Sequence, residues 1–352
     1  MESVLITGGL GFIGIHTCLS LIEKDFNLYI IDSLINSSNN ALNRLLIYGS
    51  KKRNSTRSQI NFTKGDVRDL DCLRKIFDQS IADKQPIKYV IHFAGLKSVP
   101  ESFKSPNLYW DVNVNGTIKL LNVMEEYDCR KIVFSSSATV YSYEEKSPLS
   151  EKSLVKPSNP YGKTKLAVEK IIREKSQLKD QLWNSISLRY FNPIGAHPSG
   201  IVGESPSNIP TNLFPYICQV AISKRKYLKI YGNDWPTQDG TCVRDFIHVM
   251  DLADGHLAAL NYLKSFISKS SYKEINLGTG KGTSVLELLK IFEKVNNKKI
   301  EYIFSERRIG DKDIVYANCE QAKKILNWES KRDIAQMCKD GWNWQFKNPN
   351  GY

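Results

Sequence analysis

Short apolar runs separated by helix-length amphipathic stretches recur through the first half of this 352-residue chain. Runs at 3–7, 27–31, 60–63, 89–93, 131–134 and 185–190 have the length of buried strands. Helices are expected from near Phe12, over 69–80, over 106–127 and from Asn159 onward. Strands and helices alternating through short connections predict an α/β fold with a doubly wound parallel sheet. Residues 36–58, rich in Asn, Ser and Lys, read as a long, partly helical insertion. The alternation breaks after residue 193, where 194–211 is loop-like with Pro198, Gly200, Gly203, Pro206 and Pro210. Helices then follow near 212–224, 250–264, 284–295, 319–326 and 333–346, with strands at 228–231 and 275–277. The expected division is a first domain over 1–192 and a smaller C-terminal α/β substrate domain over 193–352, with crossings back to the first sheet allowed.

The first strand runs directly into Gly8-Gly9-Leu10-Gly11-Phe12-Ile13-Gly14, a Gly-x-x-Gly-x-x-Gly turn. Glycines there permit a tight turn, close approach to a pyrophosphate, and close packing of helix on strand. The helix after the turn points its N-terminal amides at the phosphates. The second strand ends in Asp32, eighteen residues beyond Gly14, where a carboxylate accepts ribose hydroxyls and repels a 2′-phosphate. Together these predict a Rossmann-type domain that binds NAD rather than NADP. Small residues at Ala94 and Gly95, after the fourth strand, suit a close cofactor. Lys97 is either a nicotinamide-ribose ligand or solvated, Asp66 either an adenine contact or a helix N-cap. His92, mid-strand among apolar residues, reads as a satisfied core imidazole.

A second constellation spans Ser135 to Lys165. The fifth strand runs into Ser135-Ser136-Ser137, and Asn159-Pro160-Tyr161-Gly162-Lys163-Thr164-Lys165 opens a helix. Pro160 fits the first turn, which needs no amide donor, and Tyr161 and Lys165 share a face. A phenol titrates near ~10. One cation at ~6 Å, at an effective dielectric of ~20, contributes ~2.8 kcal/mol, about two pKa units. The positive nicotinamide of an oxidised cofactor is the natural source of a third. Ser137 is placed to share a hydrogen bond with a substrate hydroxyl being deprotonated. A surface Tyr beside a solvated Lys is the competing reading of this short motif.

Composition adds limits. A hydrophobic fraction of 41% supports a sizeable core, and no apolar run of about 18 residues predicts a membrane span. With no secretory leader pattern at the start, a cytoplasmic location is expected. Seven scattered cysteines without ligand spacing predict reduced thiols and neither disulfide framework nor metal site. The net charge of +12 is spread along the chain, and its one dense cluster, Lys51-Lys52-Arg53 with Arg57, lacks aromatics for base stacking. A solvated loop is preferred to a nucleic-acid arm, and basicity suits an anionic small substrate. Arg244 beside Asp245, and Arg307-Arg308-Ile309-Gly310-Asp311, suit forked recognition of phosphate or surface ion pairing.

With these residues in hand, the chain resembles the UDP-glucose (UDP-galactose) 4-epimerases of the extended short-chain dehydrogenase/reductase family. The likeness covers nearly the whole length and includes Phe93 to Lys97, Asn113-Val114-Asn115-Gly116-Thr117, Ser135 to Tyr141, Arg189 to Pro193, Gly195 to Gly200 and Asp239 to Asp251. The resemblance implies Tyr161 as base, Lys165 as its electrostatic partner and Ser137 as relay. It implies cofactor contacts at Gly8, Gly11, Phe12, Ile13, Gly14, Asp32, Asn36, Ser37, Asp66, Val67, Phe93, Ala94, Gly95, Lys97, Ser135, Tyr161, Lys165 and Phe191. Substrate contacts carry over to Lys97, Ser137, Tyr161, Asn192, Asn212, Leu213, Tyr231, Arg244, Arg308, Asp311 and Val315. Val112 departs from the Asn that relatives often carry. Val315 aligns with a gatekeeper that is a bulky Tyr in enzymes restricted to plain hexoses, so activity on UDP-N-acetylhexosamines is expected as well. A homodimer through the helices near 106–127 and 160–176 is implied. A 4,6-dehydratase, the nearest rival, needs an acid–base pair beside the serine, and this chain has Ala138 and Thr139 there. A net oxidoreductase and a non-catalytic NAD sensor are further rivals.

Overall fold

The computed structural model describes residues 1–52, 59–178, 182–206, 209–266, 269–308 and 310–352. Arg53, Arg57 and Ile309 lie outside the described residues.

The apolar runs form the strands Ser3–Thr7 (β1), Asn27–Asp32 (β2), Ile60–Lys64 (β3), Ile87–His92 (β4), Lys131–Ser137 (β5) and Asn184–Tyr190 (β6). They build a seven-stranded parallel sheet in the order Ser271–Leu277, β6, β5, β4, β1, β2, β3. β1 and β2 are buried at every residue, as strands covered on both faces must be. One core layer packs Val4, Ile6, Leu19, Ile30 and Ile186 with Leu252 and Leu260 of the helix Val249–Lys264. The other packs Leu5, Tyr29, Val90 and Phe134 with Leu120, Val168 and Trp183. A smaller core over the C-terminal part joins Phe214, Ile217, Ile230, Leu289, Phe292 and Met337.

The sheet's seventh strand and the helix Val249–Lys264, which packs on Phe12–Ile22, both come from beyond residue 193. That strand is longer than the 275–277 expected, because Ser271 to Glu274 pair in register with Asn184 to Ser187 although only partly buried. The helix expected over 106–127 is present without interruption as Pro106–Tyr109, a π-helical stretch Trp110–Asn115 and Gly116–Glu126, and a separate short helix Val99–Lys104 precedes it. Asn113 causes the irregularity to matter: its amide donates to Leu96 O and Thr164 Oγ1 and its oxygen accepts from Leu96 N. The 36–58 insertion contains the helix Asn39–Lys52. Among the described residues no helix is long and apolar enough to cross a membrane.

Three buried histidines set an acid limit on stability. Burial pushes His16 and His92 down to about 3 and His256 to about 4. Each folded value lies below the unfolded ~6.5, so on acidification the unfolded chain takes up protons first. The stability these neutral rings confer is complete above about pH 6.5 and drains as pH falls toward about 4, at up to about 1.4 kcal/mol per unit for each ring. The urea midpoint is expected to fall steadily from pH 6.5 to 4.5. A flat midpoint over that range would contradict this account.

Candidate active site

The glycine turn is built as its spacing requires. Gly8 has φ of 67°, and a Cβ on it would lie 2.8 Å from Ala94 N. At Gly14 a Cβ would lie 2.4 Å from Gly8 O, so the helix Phe12–Ile22 packs against the turn itself. A Cβ on Gly11 would meet only Gly8 O, at 3.3 Å, leaving its outer face open to a ligand. Asp32 ends β2 with its carboxylate oriented by Leu10 N (3.0 Å), Leu34 N (3.0 Å) and Ser37 Oγ (2.7 Å). Open backbone at the turn and a fixed acid at the next strand end fit a dinucleotide with a free 2′-hydroxyl. Phe12, Ile13 and Gly14 open the helix, and exposed Asn36 lies beside Ser37.

Asp66 is not the N-cap; Asp69 is, accepting from Cys72 N at 3.0 Å. Both Asp66 oxygens are instead held by Arg68, which also pairs with Asp111 at 2.6 Å. Val67 is buried in the core beside them. His92 is the satisfied core residue expected, held between Thr7 Oγ1 at 2.6 Å and Thr117 Oγ1 at 2.8 Å. Phe93 stacks obliquely on His256, and Ala94 N donates to Thr7 O. A Cβ on Gly95 would lie 3.9 Å from Lys165 Nζ, so the loop after β4 reaches the Tyr161 helix.

That helix, Pro160–Lys175, starts with Pro160 in its first turn and Asn159 as N-cap to Gly162 N. Gly162 is tight against Thr139 O, where a Cβ would come to 2.6 Å, and this brings the helix down onto the end of β5. Ser137, Tyr161 and Lys165 converge there. Lys165 Nζ donates to Ser135 O at 2.7 Å and lies 4.9 Å from the Phe134 ring centre and 5.8 Å from that of Tyr161. Burial pulls Lys165 down to about 8, against the charge of Glu169. Burial pushes Tyr161 up to about 12, with only the Ser137 hydrogen bond opposing it. The cation at this distance, already engaged by a carbonyl, does not by itself outweigh desolvation. Without further positive charge the phenol therefore rests protonated. Tyr190, which also bonds to Ser135, and Phe191 are buried alongside.

The substrate candidates come together in two groups. Arg244 Nη2 and Arg308 Nε both face Asp311, at 3.8 and 3.1 Å, and Arg308 lies 4.5 Å over the Tyr231 ring. Val315 is opposite Arg244 in a two-residue parallel pairing. Asp245 is not the surface partner of Arg244: it is buried and accepts from Thr279, Gly280 and Ala317 amides. The second group is Lys97 and Asn212, which meet on Glu204 at 3.7 and 3.1 Å. Lys97 thus points to a carboxylate that sequence reasoning did not single out. Asn192 N is tied to Asp245 O, and Leu213 begins the helix Leu213–Ala221.

Against known proteins, residues 5–341 match a family model described as GDP-mannose 4,6 dehydratase. UDP-glucose 4-epimerase 2 of Arabidopsis thaliana is 48% identical, over 100% of this chain and 97% of that one. The chain belongs to the UDP-glucose 4-epimerase family. Within this family, the crystal structure of the Bifidobacterium longum UDP-glucose 4-epimerase in complex with NAD+ and UDP superposes with a TM-score of 0.90, at 42% identity and full coverage of both chains. The UDP-Glc/GlcNAc 4-epimerase of Campylobacter jejuni gives 0.81 at 30% identity, over 99% of this chain and 100% of that one. The wider dehydratase description does not extend to the chemistry here. Ala138 and Thr139, which follow Ser137 in a short 3₁₀ turn, bring no carboxylate beside the serine.

Proposed function

We propose that this protein interconverts UDP-glucose and UDP-galactose by oxidation and re-reduction at C4 of the hexose. The observation that carries the reading is the convergence of Ser137, Tyr161 and Lys165 beside an open glycine turn and an oriented Asp32. Relatives of the same family whose structures contain NAD support the cofactor assignment. Gly8, Gly11, Gly14 and Asp32 would hold NAD, which would supply the oxidising and then the reducing equivalent and end as it began.

The chain's residues manage the proton and the two faces of the sugar. Ser137 holds the 4-hydroxyl and passes its proton to Tyr161, which needs the positive charge of Lys165 and an oxidised cofactor to become a base. Tyr161 returns the proton when the 4-keto group is reduced on its opposite face. Arg244 and Arg308 anchor the diphosphate, Asp311 keeping them aligned, so that the sugar turns while the nucleotide stays fixed. Residues 193–352 act mainly as the UDP-sugar domain, since Tyr231, Arg244, Arg308, Asp311 and Val315 all lie there. The test is incubation of purified protein with UDP-glucose and no added cofactor, with NMR detection of UDP-galactose. Net consumption of added nicotinamide cofactor in step with substrate would instead identify an oxidoreductase.

Val315, half-buried beside Arg244, is far smaller than a Tyr at that position, so UDP-N-acetylglucosamine is proposed as a second substrate. The similarity to the Campylobacter jejuni enzyme supports it. Val315→Tyr is expected to lower turnover of the N-acetyl sugar about ten-fold or more while sparing UDP-glucose. Equal effects on both sugars, read by NMR, would remove the assignment. We further propose a cytoplasmic homodimer through the helices near 106–127 and 160–176; Leu108, Trp110 and Ile118 in the first of these are exposed large apolar side chains.

A further inference from the structure

The helix that carries Tyr161 and Lys165 presents a third polar residue on the same face, Glu169, one turn further on. It is fully buried, with no exposure to solvent. Its two oxygens accept from Arg189 Nε at 2.9 Å, Arg189 Nη2 at 2.7 Å and Ser136 Oγ at 2.6 Å. Arg189, on β6, is itself 1% exposed and also donates to Tyr141 OH at 3.1 Å. Tyr141 in turn donates to Asn276 Oδ1 at 2.6 Å, on the last strand of the sheet. A single chain of bonds therefore runs from the helix through β5 and β6 to the sheet's edge. Its β5 member, Ser136, lies between Ser135, whose carbonyl takes Lys165, and Ser137.

A buried ion pair of this kind is a poor source of stability, because desolvating both charges offsets most of their attraction. Apolar residues of similar volume fill such a space at little cost, so the pair's presence calls for a role beyond packing. We propose that Glu169 is a positioning residue for the epimerase reaction: it locks the Tyr161–Lys165 helix to the strand carrying Ser137, and sets a negative charge one turn from the Lys165 ammonium. The inference rests on the Tyr161–Lys165 reading given above.

The charges around Lys165 fix the sign of the effect. From its own helix it faces Tyr161, neutral at rest, and Glu169; from β4 it faces His92, which burial keeps neutral; from β6 Arg189 lies beyond Glu169. Glu169 is the anion that opposes the burial of Lys165. Exchanging it for a neutral amide removes that anion and leaves Arg189 unbalanced, and both changes favour loss of the Lys165 proton. The cation that makes Tyr161 acidic then disappears at lower pH.

The experiment measures kcat/KM for UDP-glucose against pH, with UDP affinity by calorimetry, on wild type and Glu169→Gln. The alkaline limb of the variant is expected about one pH unit or more below that of wild type, with UDP affinity within about two-fold. The double variant Glu169→Gln/Arg189→Met, which also removes the unbalanced cation, is expected to bring the limb back toward wild type. An active Glu169→Gln with an unmoved limb overturns the inference. Should that variant not fold, Ser136→Ala decides, since it cuts the link from β5 to Glu169 and leaves the ion pair intact. Its kcat is expected to fall about five-fold or more with unchanged affinity for UDP, and a kcat equal to wild type overturns the inference. An inactive wild type that binds no UDP would mark failure of the epimerase reading itself, a different result from either.

Discussion

Replacing Tyr161 by Phe is expected to reduce turnover of UDP-glucose by about a thousand-fold while leaving UDP affinity intact. The expected size is that of a lost general acid–base group. Phenylalanine keeps the ring, which is 9% exposed and contacts the Lys165 ammonium at 5.8 Å, so the pocket keeps its shape. What is lost is the hydroxyl we propose as the base, which receives the sugar's proton through Ser137 and returns it. Because burial alone pushes that hydroxyl to about 12, Lys165→Met should be nearly as damaging, for a different reason. The base remains but is never ionised. Single-turnover reduction of the bound cofactor by UDP-glucose, followed by absorbance, checks both variants. A Tyr161→Phe protein that still interconverts the two sugars at a tenth of the normal rate would rule out the assigned role.

Gly14→Ala is expected to be the most disruptive change at the cofactor turn, and Gly11→Ala its informative counterpart. The new methyl at Gly14 falls 2.4 Å from Gly8 O and 2.8 Å from Gly9 Cα, both backbone atoms that cannot swing aside. The helix must lift from the turn, at about 3 kcal/mol, and cofactor affinity should fall about a hundred-fold with it. At Gly11 the methyl meets a single protein atom, at 3.3 Å. Cofactor-free Gly11→Ala should therefore melt close to wild type and yet bind the cofactor poorly. Thermal melts with and without added NAD separate the two. If Gly11→Ala bound NAD normally, the open face of the turn would not be the pyrophosphate site.

Local pattern carried much of this structure. β1 and β2 are continuous apolar runs, and the glycine spacing, Asp32 and the Pro160 helix start all depend on residues within one turn or strand. Features made by distant partners were not legible. Glu169 reads in sequence as one more charged residue on an amphipathic helix, and only Arg189, twenty residues on, makes it buried. The irregular turn at Trp110–Asn115 is tied down through Asn113 to Leu96 and Thr164, neither of them near in sequence. Asp66 reads in sequence as a possible helix N-cap, but the structure gives that role to Asp69, which accepts from Cys72 N, while Asp66 is held by Arg68. Lys97 is left open in sequence between a nicotinamide-ribose ligand and a solvated side chain, and its neighbour Glu204, more than a hundred residues away, was not legible there.

The strand Ser271–Leu277 covers β6, and it is synthesised about 80 residues later, which at ribosomal speeds is roughly 4–16 s. During that interval a nascent chain carries a freshly made strand with an unpaired margin, the kind of template on which neighbouring chains aggregate. Slowing translation across residues 191–270, or depriving the cell of chaperones that shield such margins, should cost yield of soluble protein far more than the same slowing placed after residue 277.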